Sequence, residues 1–127
     1  MKRAFTLVEL MLVIVIISIL GSIVVPRLAG RAEKARQVAA KADVEANLPA
    51  ALDMYDMDVG EYPQNLQDLV EDSGADNWAG PYLKKLPRDP WGKDYYYKNP
   101  GDRGLDYDLA SLGRDGTLGS EDDVVGW

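Results

Sequence analysis

FTLVELMLVIVIISILGSIVV, residues 5–25, is an apolar run of 21 residues that carries one charge, Glu9. At about 1.5 Å per residue, a helix of that length spans the roughly 30 Å hydrocarbon core of a bilayer. A short basic leader, Met1-Lys2-Arg3-Ala4, precedes it, and Arg27 and Arg31 come after it. Basic residues on both sides nearly balance the positive-inside rule locally, so the acidic C-terminal part is the portion expected outside the cytoplasm. A secretory signal peptide would have a shorter apolar core and a small-residue cleavage site beyond it. A plain membrane anchor fits the length and leaves Glu9 unexplained. A carboxylate in an apolar helix either snorkels to the interface or has a partner, and position alone does not choose between these.

Outward from this run the charge changes sign. Residues 1–50 hold 7 Lys/Arg against 4 Asp/Glu, and residues 51–127 hold 7 against 17, within a chain of net charge −7. Such an acidic second half does not suit phosphate contacts, so no nucleic-acid partner is expected. There is no His and no Cys. That excludes disulfides, thiolate metal sites and His-based acid–base or triad chemistry, leaving carboxylates, lysines and oxygen-ligand metals. At 127 residues, 46% hydrophobic and 28% charged, the chain suits one small domain behind its apolar segment.

From Arg27 to Asp58 the composition continues as an amphipathic helix, with Ala35, Val38, Ala42, Leu48, Leu52 and Tyr55 as the stripe facing a head. Pro49 predicts a bend or restart at Asn47 or Leu48, Pro26 predicts a kink, and Gly30 is a further weak point. Gly60 is the expected C-cap. Residues 65–71 read as a short amphipathic helix and 73–92 as a loop that Trp78, Tyr82 and Trp91 bury against the head. Residues 94–98 and 105–111 read as a hairpin. Leu105, Tyr107 and Leu109 take its dry face, and Asp106 and Asp108 its wet one. A third strand is expected near 124–127.

Ala4-Phe5-Thr6-Leu7-Val8-Glu9, with the apolar tract to Pro26, resembles the processing site of type IV pilins and pseudopilins. The resemblance implies cleavage between Ala4 and Phe5 by prepilin peptidase and N-methylation of the new Phe5 amine. Ala4 stands where these proteins usually have Gly. Beside that resemblance, a Phe5 amine and the Glu9 carboxylate one turn away would each be costly alone in lipid and less costly paired. Glu9 is therefore expected to pair across subunits and set the register of assembly.

Near the C-terminus, Asp115, Glu121, Asp122 and Asp123 crowd a nine-residue loop opposed only by Arg114, with Gly113, Gly116 and Gly119 free to turn carbonyls inward. Charge alone reads this as a solvated surface more readily than a metal site. Ca²⁺, which takes 6–8 oxygen ligands, is the metal such a loop suits, although no EF-hand string is present. The head as a whole resembles the major pseudopilins of type II secretion systems, through Ala50–Tyr55, Gly60-Glu61-Tyr62-Pro63, Asp89-Pro90-Trp91-Gly92, Pro100-Gly101, Tyr107-Asp108-Leu109 and Ser111–Gly116. That resemblance implies structural Ca²⁺ in the last loop, held by the side chains of Asp115, Asp122 and Asp123. The carbonyls of Leu112 and of a residue near Ser120 complete the set, with Glu121 the weakest candidate. Two departures are Pro49 and the compact loop 119–123.

The expectation is an α+β, pilin-like fold: leader 1–4, transmembrane and assembly helix 5–26, amphipathic half 27–58 and head 59–127, the long helix packed on a small antiparallel sheet. The resemblance implies a non-enzymatic subunit, held in bacterial inner-membrane lipid with its head in the periplasm. There it polymerises with itself into a helical pseudopilus that drives folded proteins out through the outer membrane. Minor pseudopilins and an ATPase-driven assembly platform are the implied partners. The alternatives are a surface type IV or competence pilin and, from another class, a tethered hydrolase or carbohydrate-binding head using Asp106/Asp108 or Asp122/Asp123.

Overall fold

The computed structural model describes residues 4–127; Met1, Lys2 and Arg3 of the expected leader lie outside the described residues. The chain divides into two units, one ending at Ala35 and one running from Arg36 to Trp127. Helix α1 (Leu7–Ala42) begins in the first. Thr6 and Glu9 start it with a reciprocal capping box: Thr6 Oγ1 accepts the Glu9 N–H at 3.2 Å, while Glu9 Oε2 accepts the Thr6 N–H and hydroxyl, both at 2.9 Å. The apolar run is helical from Leu7 onward, and none of its 18-residue window, with mean hydropathy 2.8, is buried. α1 continues through Pro26 and Gly30 without a break in its helical assignment. One missing backbone donor removes a single bond, which the flanking turns tolerate.

In the second unit α1 passes through a π-helical turn at Asp43–Asn47 into helix α2 (Leu48–Val59); the backbone stays right-handed helical across Asn47 and Leu48, and the wider π-turn falls just before Pro49, whose missing N–H a regular helix would leave unmatched. Gly60 ends α2 in the left-handed region (φ 91°) and donates its N–H to Asp56 O at 2.7 Å. The buried face is Ala40, Val44, Leu48, Ala51, Leu52 and Tyr55, whereas Ala35, Val38 and Ala42 are exposed. The expected stripe is thus right from Leu48 onward and wrong before it. On a regular helix, positions 35, 38 and 42 are turned roughly 80–140° from Leu48. The steps of four from Ala40 to Leu52 drift about 40° each, and the π-turn takes up part of that drift.

The remaining elements pack on this face. Leu66–Leu69 form a 3-10 turn, shorter than the helix expected, that buries Leu66 and Leu69. Leu69 O then accepts the N–H groups of Tyr82 and Leu83, and Trp78 Nε1 donates to Asp68 O at 2.9 Å. Trp78 and Tyr82 pack on the core, with Tyr82 edge-on to Tyr55 at 5.5 Å; Trp91 is half-buried. Strands β1 (Tyr96–Lys98), β2 (Asp108–Ser111) and β3 (Val124–Val125) form one antiparallel sheet in the order β1-β2-β3. Tyr97 faces Leu109, and Ser111 faces Val124. All four residues of β2 are buried.

The wet face expected for the hairpin is not there. Asp106 is exposed, but Asp108 is 0% exposed, and Leu105, expected on the dry face, is 47% exposed. The turn before β2 folds over Asp108 and satisfies one of its oxygens. Oδ2 accepts the Asp102 N–H at 3.0 Å and Arg103 Nη1 at 3.1 Å, while Oδ1 has no partner. The Arg103 guanidinium lies 3.9 Å over the Trp127 ring, tying the end of the chain to the same turn.

Candidate functional site

The loop between β2 and β3 is organised by glycines and by its own carboxylates. Gly113, Gly116 and Gly119 have φ of 61°, 72° and 91°. A Cβ on Gly113 would lie 2.4 Å from Asp122 O and 2.6 Å from Asp122 Oδ2, so only glycine fits there. Asp122 Oδ2 accepts the backbone N–H groups of Arg114 at 2.7 Å and Asp115 at 3.1 Å. Asp115 Oδ1 accepts the Thr117 N–H at 2.8 Å, and Asp123 Oδ2 accepts the Gly119 N–H at 2.6 Å. The Ser120 hydroxyl and the Asp115 and Arg114 amides hold the Asp122 carboxyl down at about 2, well below the usual carboxylate range.

One oxygen from each of Asp115, Asp122 and Asp123 lies within 4.8 Å of the others. All three carboxylates converge on Ser120 Oγ, which is 3.2 Å from Asp115 Oδ1 and 3.1 Å from Asp123 Oδ1 and bonded to Asp122 Oδ1. A hydroxyl has one proton to give, so three acceptors meet where one donor is available. An all-oxygen, anionic set of this kind fits a hard divalent cation such as Ca²⁺. Of the other expected ligands, Leu112 O accepts the Gly116 N–H at 3.0 Å and keeps a second lone pair. The Ser120 hydroxyl stands among the carboxylates, and its carbonyl accepts the Asp123 N–H at 3.4 Å. Glu121 is exposed.

Support for the loop comes from Asp89 and Ser111, which the sequence reading treated only as parts of a signature, and from Lys93, which it did not single out. Asp89, 4% exposed, accepts the N–H groups of Trp91 at 3.1 Å and Lys93 at 2.7 Å through Oδ1, and the Ser111 hydroxyl at 2.8 Å through Oδ2. Ser111 Oγ in turn accepts the Gly113 N–H at 3.3 Å. Lys93 Nζ donates to Arg114 O at 2.7 Å and lies 3.5 Å from Gly113 O. The Asp-Pro-Trp-Gly-Lys turn therefore anchors the first half of the acidic loop. Neither hydrolase pair survives this geometry: Asp108 is buried against Arg103 while Asp106 faces solvent, and Asp122 and Asp123 are bonded within their own loop.

At the other end of the chain, Phe5 is 79% exposed and Ala4 is exposed ahead of the first helical turn. Glu9 caps its own helix through Thr6, a role that the Thr-x-x-Glu spacing signals and the sequence reading passed over.

An apolar N-terminal helix, continuing into a helix packed on a three-stranded antiparallel sheet with an acidic loop before the last strand, defines a pilin-like subunit. A family profile described as "Type II secretion system (T2SS), protein G" matches residues 27–127, and one described as "Prokaryotic N-terminal methylation motif" matches residues 1–25. Relatives named type II secretion system core protein G are similar over 99% of this chain. The one from Escherichia coli is 48% identical with 91% of its length covered, that from Vibrio cholerae 46% with 92%, and that from Pseudomonas aeruginosa 45% with 95%. The crystal structure of the major pseudopilin from the type 2 secretion system of enterohaemorrhagic Escherichia coli matches with a TM-score of 0.68 at 37% identity, over 79% of this chain and 89% of that one. The chain belongs to the type II secretion system protein G family. It is a structural, non-enzymatic pseudopilus subunit of type II secretion, and the surface-pilin alternative is not favoured. Membership implies assembly into the secretion machinery, the methylation motif implies processing by prepilin peptidase, and the apolar helix fits membrane anchoring.

Proposed function

We propose that the loop from Leu112 to Asp123 is a structural Ca²⁺ site that fixes the last strand of the head. The observation that carries this is the convergence of the Asp115, Asp122 and Asp123 carboxylates on the single proton of Ser120. Bound there, Ca²⁺ would supply positive charge where three anions crowd. Asp115, Asp122 and Asp123 would hold it, with the Leu112 carbonyl and a group of Ser120 as further oxygens. Asp89, Ser111 and Lys93 keep the loop's first turn in place.

The same reading places the chain in the inner membrane as a single-pass protein, its head in the periplasm. Cleavage falls between Ala4 and Phe5, with N-methylation of Phe5. Glu9 then pairs with the Phe5 amine of a neighbouring copy as subunits add to an open-ended helical homopolymer, which drives folded proteins through the outer membrane. Minor pseudopilins, the assembly platform and its ATPase are the remaining partners proposed. In the unprocessed chain Glu9 is engaged by Thr6, so pairing across copies exchanges that cap for a charged partner.

The test of the metal reading is thermal unfolding of the full chain in mild detergent, with millimolar Ca²⁺ and then with excess chelator. A ligand at about 1,000 times its Kd adds roughly 4 kcal/mol, so the midpoint should rise by many degrees. Asp115→Ala should abolish the rise. An identical midpoint with and without Ca²⁺ would refute the site.

A further inference from the structure

The helix just beyond the apolar run carries a one-sided set of cations. Arg27, Arg31 and Lys34 succeed one another at steps of four and three, which at 3.6 residues per turn gathers them within about 60° of one face. Ile23 and Val24 continue that face toward the apolar run, and with Arg27, Leu28 and Arg31 they line a shallow groove. All three cations are exposed and make no ion pair among the described residues; Glu33 and Arg36 lie on other sides of the helix.

Depth and charge together name the occupant. Counting about 1.5 Å per residue from Val25, Arg27 and Arg31 rise roughly 3 and 9 Å above the hydrocarbon edge. That is headgroup depth for side chains that can bend back, and Lys34 sits within a Debye length beyond. Cations on the side away from the cytoplasm also oppose the positive-inside bias. Cleavage after Ala4 sharpens that imbalance by removing Lys2 and Arg3. Phosphates of anionic lipid, reached from a face that is apolar at one end and basic at the other, would offset it. A carboxylate from a second copy would match the charge but not the continuity with the membrane-spanning run.

We infer that Arg27, Arg31 and Lys34 form a collar that binds anionic phospholipid headgroups and sets the depth at which the subunit waits before assembly. This rests on the membrane-anchored reading of the chain. The test uses the full chain carrying Leu28→Cys, its only cysteine, labelled with a small fluorophore and placed one copy per phosphatidylcholine nanodisc, so that no neighbouring copy can contribute. Quenching is compared for equal fractions of phosphatidylglycerol or phosphatidylcholine brominated near the top of the acyl chains. Phosphatidylglycerol should be enriched around residue 28 by at least about fivefold, given roughly one such factor per surface cation. The preference should vanish in Arg27→Gln/Arg31→Gln/Lys34→Gln and persist when both arginines become lysine. Equal quenching by the two lipids, or a preference that survives the triple substitution, would overturn the collar. Resistance to alkaline extraction from vesicles is scored on the same proteins. Its loss in the unsubstituted chain refutes membrane anchoring itself, whereas retention with equal quenching refutes only the collar.

Discussion

Replacing Gly113 with alanine separates two costs that the acidic loop combines. Gly113 has φ 61°, and its missing Cβ would lie 2.4 Å from a backbone oxygen of Asp122 and 2.6 Å from the Asp122 carboxylate. A left-handed backbone at alanine costs about 1–2 kcal/mol, and forcing an extra carbon into a filled site adds about 1–3 kcal/mol. Gly119 provides the control, because its φ is 91° yet nothing stands within 4 Å of a Cβ placed there. Gly119→Ala should therefore lose only the first amount, and Gly113→Ala both. In a head of this size the gap corresponds to roughly 5–20 °C in Tm. The assay is thermal unfolding of each full-length variant monitored by circular dichroism, in chelator and again with Ca²⁺. In chelator the two variants should differ by that gap. With Ca²⁺, Gly119→Ala should keep most of its gain, while Gly113→Ala, whose Asp122 is pushed off the Arg114 and Asp115 amides, should lose it. Equal destabilisation of the two variants would refute the close approach of residues 113 and 122 and the loop geometry built on it.

Three further outcomes are expected of the head. Arg103→Leu leaves the buried Asp108 carboxylate without its guanidinium, so denaturant unfolding should show a loss of about 1.5–3 kcal/mol, accompanied by a change in Trp127 fluorescence. Leu52→Ala should cost about 2–5 kcal/mol and Val38→Ala less than about 0.5 kcal/mol, whereas equal membership of one buried stripe would make both costly. Burial raises the hydroxyls of Tyr95 and Tyr97 far above their ordinary value of 10, and burial with the Asp53 hydrogen bond lifts Tyr62 to about 12. Their contribution is complete below pH 10, where both states are protonated, and is lost as the pH climbs through the folded-state values. Stability should fall steadily above pH 10 in an alkaline titration, and less steeply in Tyr97→Phe.

The features legible in the sequence are those whose causes are local. The apolar run needs only its length and composition, Gly60 only its place after the last helical turn, and Pro49 its mismatch with a regular helix. The features that stay hidden depend on residues far apart in the chain. The π-turn at Asp43–Asn47 is braced by the Tyr95 hydroxyl, which donates to Asp43 Oδ2 at 2.7 Å from 52 residues away, and without that contact the phase of the helix ahead of Leu48 cannot be read. Asp108 looks like the wet face of a strand until the turn carrying Asp102 and Arg103 folds back onto it. The acidic cluster is plain in the string Glu121-Asp122-Asp123. Its support by Asp89, Ser111 and Lys93 is not, because the Asp89–Ser111 and Lys93–Arg114 contacts each span about twenty residues.

The acidic loop and the last strand are mechanically one piece. Strand β3 is two residues long and pairs only with β2; Gly126 N–H to Leu109 O at 2.9 Å and the stacking of Trp127 on Arg103 hold the last two residues of the chain. A Cβ at Gly126 would sit 2.9 Å from Val44 Cγ1, so the same segment closes over the π-turn and the buried face it carries. So short a strand cannot hold its register against the mutual repulsion of Asp115, Asp122 and Asp123 immediately before it, except through whatever balances those charges. The amides of Arg114, Asp115, Thr117 and Gly119, with Ser120, do part of this without any ion. A cation at their centre would do the rest, and its effect would reach past the loop to the packing of β3 and Gly126 on Val44. In a head with no cysteine, the closure of the C-terminal segment over the helix therefore rests on how well that loop neutralises itself.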